Sequence, residues 1–106
     1  MKGSIAIALT VATAALGAPS AALASADLAK KYNCAACHQP DRKLVGPAWK
    51  EVVAKRGGEA NAVATLTEKV RKGGGGVYGP VPMPPNPTVP DADLKALVEW
   101  VLAGGK

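Results

Sequence analysis

The chain has 106 residues, with 13 Lys and Arg against 8 Asp and Glu for a formal charge of +5, one His, two Cys and no Phe. That length fits one small domain behind a leader and excludes a multidomain enzyme. The basic residues are spread rather than massed and lack interleaved aromatics, which excludes a nucleic-acid stripe and leaves a modest positive field suited to acidic protein partners or to plain solubility.

Residues 1–26 read as a secretory leader. Lys2 supplies the positive start, an apolar run from Ile5 to Leu16 follows, and small residues close the segment. Ala24-Ser25-Ala26 and Ala22-Leu23-Ala24 both satisfy the small-x-small rule, and cleavage is placed after Ala26. The competing reading is a membrane anchor. A spanning helix needs about 20 strongly apolar residues, whereas this stretch is rich in alanine and carries Pro19 near its end. Either way the remainder is delivered outside the cytoplasm. Residues 27–106 then form one domain of a size that usually needs a staple. Its aromatics are Tyr32, Trp49, Tyr78 and Trp100. So few large side chains imply that something else fills part of the interior.

Leu28, Ala29 and Tyr32 mark the face of a first short helix, and Asn33, which tolerates left-handed backbone, ends it. "CAACH" follows, Cys34 to His38, and holds every thiol of the chain and its only imidazole. Four chemistries compete for it. A disulfide across so small a loop constrains the unfolded chain little. A thioredoxin-type dithiol requires a βαβ setting, but the preceding residues read as helix. A structural zinc site lacks its second Cys/His pair. Covalent haem attachment uses all three residues, with two thiols on the porphyrin vinyl groups and the histidine beneath the iron. It also agrees with the export signal and the thin aromatic core.

"LVGPAWKEVVAKRGG" reads as a loop and then a helix, with Pro47 at the first helical position, Trp49, Val52 and Val53 on one face, and Gly57-Gly58 as the stop. A third helix runs between Asn61 as N-cap and Gly73 as C-cap, with Val63, Leu66 and Val70 on one face and Lys69, Arg71 and Lys72 in its last turn. From Gly73 to Pro90 the run Gly73 to Gly76 and six prolines forbid a helix. Within that stretch lies Met83, the only methionine outside the leader. A thioether is a weak ligand, and flanking prolines reduce the entropy lost on coordination. Met83 is therefore the candidate partner of His38 across the iron, against the plainer reading of a core gap-filler. The last helix begins near Pro90 or Asp91. Its stripe is Leu94, Leu97, Val98, Val101 and Leu102, and Trp100 is expected to pack on the first helix or the haem.

"CAACH", "LVGPAWKEVVAKRGG", "GVYGPVPMPPN" and "LVEWVL", in this order, resemble the small bacterial monohaem class I cytochromes c, which include periplasmic donors to nitrite reductases and terminal oxidases. The resemblance covers nearly all of residues 27–106. It implies thioether links at Cys34 and Cys37, and His38 and Met83 as axial ligands. It further implies a Pro47 carbonyl that accepts a hydrogen bond from the proximal imidazole, and Asn86 bonded near the methionine sulfur. Tyr78 and Lys69 stand where the family has Trp and Arg near the haem propionates; the exchange of Arg for Lys loses a bidentate fork.

The reading is an all-α domain of cytochrome c fold, four short helices wrapped around one haem c, serving as a periplasmic one-electron carrier and not as an enzyme. His/Met ligation closes both axial sites and raises the reduction potential. Redox partners would dock transiently near Cys34 and Cys37, guided by Lys30, Lys31, Arg42, Lys43 and Lys50. The chain is taken as a monomer without a membrane span after cleavage. The rivals are a haem-binding gas sensor, a low-activity peroxidase with a labile methionine, and a thiol-disulfide oxidoreductase.

Overall fold

The computed structural model describes residue 3, residues 8–12 and residues 21–106, the side chains of residues 21–24 excepted. The expected leader, 1–26, lies largely outside those residues. The described part is helical: α1 is Ala21–Lys31, a 3-10 turn spans Cys34–Ala36, α2 is Trp49–Arg56, α3 is Ala62–Lys72 and α4 is Asp91–Leu102. Among the described residues no strand forms, and the only ladder-like pairings are the isolated bridges His38 to Lys43 and Gly74 to Met83. The expected all-α, four-helix architecture is the observed one. No described helix is long and apolar enough to cross a membrane.

Local chemistry sets the helix ends. Asn33 takes left-handed backbone, φ 62° and ψ 16°, which asparagine tolerates better than branched residues. That reversal turns the chain out of α1 into the 3-10 turn, where the amides of Cys37 and His38 both donate to the Cys34 carbonyl. α2 starts later than Pro47. Ala48 is its extended N-cap, and its N–H donates to Glu51 Oε2 at 3.2 Å. Pro47 cannot open the helix because its carbonyl accepts from His38 instead of from the helical turn ahead. α3 ends at Gly73, φ 67°. Any side chain there would collide with the backbone of Met83, Pro84 and Pro85, so the glycine admits the close passage of the proline-rich segment.

α4 is the hub, packing against α1, α2 and α3. Its stripe splits over two apolar clusters. Val101 joins Trp49 and Val52 of α2, with Leu66 and Trp100 alongside. Leu94 and Val98 join Val89, flanked by Tyr32, Val63, Leu66, Val70 and Leu102. Leu94 is fully buried; shortening such a residue to Ala typically costs about 2–5 kcal/mol. Trp100 packs edge-on against Trp49, with centroids 6.2 Å apart. Polar ties close the periphery. The Tyr32 hydroxyl donates to Asp93 Oδ2 at 2.5 Å, joining α1 to α4, and Ser25 Oγ reaches the Ala96 carbonyl at 3.5 Å.

Candidate functional site

The helices leave a cavity of about 390 Å³ between α2, α3, α4 and the loops that join them, within the range of about 300–1,000 Å³ usual for ligand sites. Cys34, Cys37, His38 and Met83 all border it; Val52, Leu66, Val70, Leu94, Leu97 and Val98 supply apolar wall. Residues far apart in the chain thus face one space.

His38 is buried, and its Nδ1 lies 2.8 Å from the Pro47 carbonyl. A carbonyl oxygen only accepts, so Nδ1 carries the proton and Nε2 keeps its lone pair for a metal. One face of the ring stacks on Trp49, centroids 4.4 Å apart and planes at 21°. The Gly46 backbone runs beside the same ring; a Cβ there would stand 2.5 Å from Cε1. Gly46 N–H in turn donates to the Cys37 carbonyl at 2.8 Å. Burial lowers the His38 pKa, partly offset by the Pro47 bond. The imidazole is therefore held neutral, as metal ligation requires.

Cys34 and Cys37 are free thiols, each half-buried. Burial pushes the Cys34 thiol above its ordinary range. Dithiol oxidoreductases work by the opposite shift, toward a stable thiolate. The two exposed alanines between the cysteines leave this edge of the cavity close to the surface.

Met83 also borders the cavity and is held by its backbone. Its N–H donates to the Gly74 carbonyl and its carbonyl accepts from Gly74 N–H, each at 2.9 Å. This two-bond bridge fastens the methionine to the end of α3 and adds to the restriction expected from the prolines. Asn86 lies outside the cavity wall. Its backbone N–H donates to the Val70 carbonyl at 3.0 Å, and its amide nitrogen donates to the Pro84 carbonyl at 3.0 Å and the Val70 carbonyl at 3.5 Å. It braces the backbone behind Met83, and the sulfur contact implied for it is not among its hydrogen bonds.

One part of the wall is cationic and unsatisfied. The Tyr78 hydroxyl is buried without a hydrogen-bond partner. Burial raises its pKa, while the neighbouring Arg56 guanidinium pulls the other way. Lys55 sits over the Tyr78 ring at 5.3 Å. Arg56 and Lys69 also line the cavity, and Lys69 Nζ bends over Gly74. A buried donor left unpaired is costly and calls for a partner. An apolar plate with carboxylate arms would fit such a wall, with Tyr78, Arg56 and Lys69 as the groups that would hold the carboxylates. The donor set would suit an iron, with one neutral imidazole and one thioether bordering the same cavity.

The structure therefore brings Cys34, Cys37, His38, Met83, Pro47, Tyr78 and Lys69 to one cavity and leaves Asn86 behind its wall. Sequence reasoning missed Arg56 and Trp49 as neighbours of the site. Helical periodicity marked Trp49 as core, and no local pattern pointed Arg56 inward.

Comparison with known proteins agrees with this geometry. The Cytochrome c family profile matches residues 22–104. Cytochrome c-552 of Nitrosomonas europaea is 50% identical over 93 residues, covering 88% of this chain and 90% of that protein. Cytochrome c-551 of Allochromatium vinosum is 53% identical over 90 residues, covering 85% and 95%. The crystal structure of wild-type Nitrosomonas europaea cytochrome c552 superimposes with a TM-score of 0.71 at 52% identity, over 74% of this chain and 98% of that one. With the family profile and half-identical relatives spanning most of its length, the chain belongs to the cytochrome c family and is a small electron carrier built on covalently attached haem c.

Proposed function

We propose that the chain is exported by residues 1–26 and that residues 27–106 work in the periplasm as a monomeric one-electron carrier. In this reading Cys34 and Cys37 hold the haem through two thioether links, and His38 and Met83 ligate its iron. The observation that carries it is the shared cavity, which gathers both thiols, the deprotonated face of His38 and the only methionine outside the leader.

Bound haem supplies the Fe(III)/Fe(II) couple, and the residues set its terms. Pro47 holds the His38 tautomer and increases the basicity of the ring. The Gly74 bridge keeps Met83 in place while the oxidation state changes, which lowers the entropy cost of a weak ligand. The apolar wall excludes water and so contributes to the potential. Tyr78, Arg56 and Lys69 receive the propionates. Partners approach the edge at Cys34 and Cys37. Val45 and Val81, 55% and 59% exposed, border the same cavity, and Lys30, Lys31, Arg42, Lys43 and Lys50 are exposed for steering.

A pyridine haemochrome spectrum with intact mass, taken on protein from a periplasm able to mature c-type haem, tests the reading. One haem, two saturated links and a mass beginning at Asp27 are expected. Rapid CO binding by the reduced protein at neutral pH would instead indicate an open sixth position. An association rate with the redox partner that does not fall with salt would remove the steering lysines.

A further inference from the structure

We infer that Arg71 is a positioning residue for the methionine ligand, a latch that sets how readily Met83 leaves the iron. The inference rests on Met83 being that ligand. Arg71 lies in the last turn of α3 with its side chain 24% exposed. Its Nη1 donates to the carbonyls of Val89 at 2.5 Å, Pro87 at 3.2 Å and Asn86 at 3.5 Å, and its Nη2 pairs with Asp91. The three carbonyls belong to the segment that leads from Met83 to α4.

That segment has one side-chain bond of its own, from the Asn86 amide to the Pro84 carbonyl at 3.0 Å. Pro84, Pro85, Pro87 and Pro90 have no N–H to donate, so its carbonyls need a donor from elsewhere. Among the described residues Arg71 is the only side chain outside the segment that donates to it. The remaining holds are the Gly74 bridge at Met83, Asn86 N–H to the Val70 and Arg71 carbonyls, and the Asn86 side-chain amide to the Val70 carbonyl at 3.5 Å. All of them attach to the end of α3. In this proposal the sulfur withdraws as the segment peels from that end, a movement that the guanidinium fork resists. Asp91 is 99% exposed, and exposed ion pairs contribute little. The holding strength therefore lies in the charge-assisted bonds to the carbonyls.

The test uses the ferric holoprotein with imidazole as probe. Its limiting binding rate at saturating imidazole reports how often Met83 departs. Arg71→Met should raise that limit about tenfold or more, the loss of one to two charged hydrogen bonds. Arg71→Lys, a point charge without the fork, should fall between. Asp91→Asn should stay within about twofold of wild type, as should Tyr32→Phe, which weakens α1 against α4 away from the latch. If Arg71→Met yields no holoprotein, Arg71→Lys carries the test. A wild-type far-red sulfur-to-iron band together with an unchanged limit in the Arg71 variants overturns the latch alone. A wild type lacking that band overturns the latch and the Met83 assignment together.

Discussion

His38 and Trp49 stack ring on ring, with centroids 4.4 Å apart, at the point where the attachment turn meets α2. The imidazole is thus fixed from two directions, on its edge by the Pro47 carbonyl and on its face by the indole. Trp49 is itself held by Trp100 and Val52, so α4 reaches His38 through α2. Trp49→Ala should cost about 3–5 kcal/mol in denaturant unfolding of the holoprotein. It should also shift the paramagnetic haem-methyl resonances as the ring gains freedom. Trp49→Phe keeps an aromatic face and should do less of both. Unmoved resonances in the alanine variant would show that the stack is packing without influence on the ligand.

Gly46→Ala tests the same ring from its other neighbour. The new Cβ would stand 2.5 Å from Cε1 and 2.9 Å from Nδ1. Either the imidazole or the loop must shift, at about 1–3 kcal/mol for an overpacked site. A thermal melt of the variant identical to wild type would mean that the loop gives way freely.

Met83→Ala should abolish the far-red sulfur-to-iron band and lower the reduction potential, since the thioether favours the reduced state relative to nitrogen or water ligands. An unaltered spectrum removes Met83 from the coordination sphere.

Tyr78 and Arg56 bear on the pH dependence of that potential. A propionate carboxylate disfavours the ferric-to-ferrous step less when protonated, because reduction removes positive charge. The potential therefore falls as pH rises through the propionate pKa. Donors that stabilise the carboxylate hold that pKa down. Tyr78→Phe and Arg56→Leu should each move the falling limb to higher pH in a voltammetric titration. A limb that stays put in both variants would place the propionates elsewhere.

Tyr32 governs an alkaline limb of stability. Its hydroxyl donates to Asp93, which raises the phenol pKa. A folded-state pKa above the unfolded one means stability that is complete below the ordinary tyrosine pKa, near 10, and lost as pH climbs through the raised value. Unfolding followed from neutral to strongly alkaline pH should show this loss in wild type. In Tyr32→Phe that part of the slope should vanish. Parallel curves would assign the alkaline loss to other groups.

Short-range chemistry made much of this molecule readable in one dimension. The attachment turn, the left-handed Asn33, the stop at Gly73 and the stripe of α4 depend on neighbours within a few positions, where backbone sterics and helical spacing act directly. So does the cofactor, because two thiols and an imidazole in five residues admit few chemistries. Pro47 marks the limit of such reading. Its ring suits a helix start, yet a residue nine positions earlier takes its carbonyl and α2 begins at Trp49. The stack on His38, the Gly74 bridge to Met83, the inward turn of Arg56 and the grip of Arg71 on the proline segment were decided only by the tertiary structure. Each joins partners whose encounter depends on how the helices pack together, and no local pattern encodes which distant carbonyl or ring that packing brings within reach.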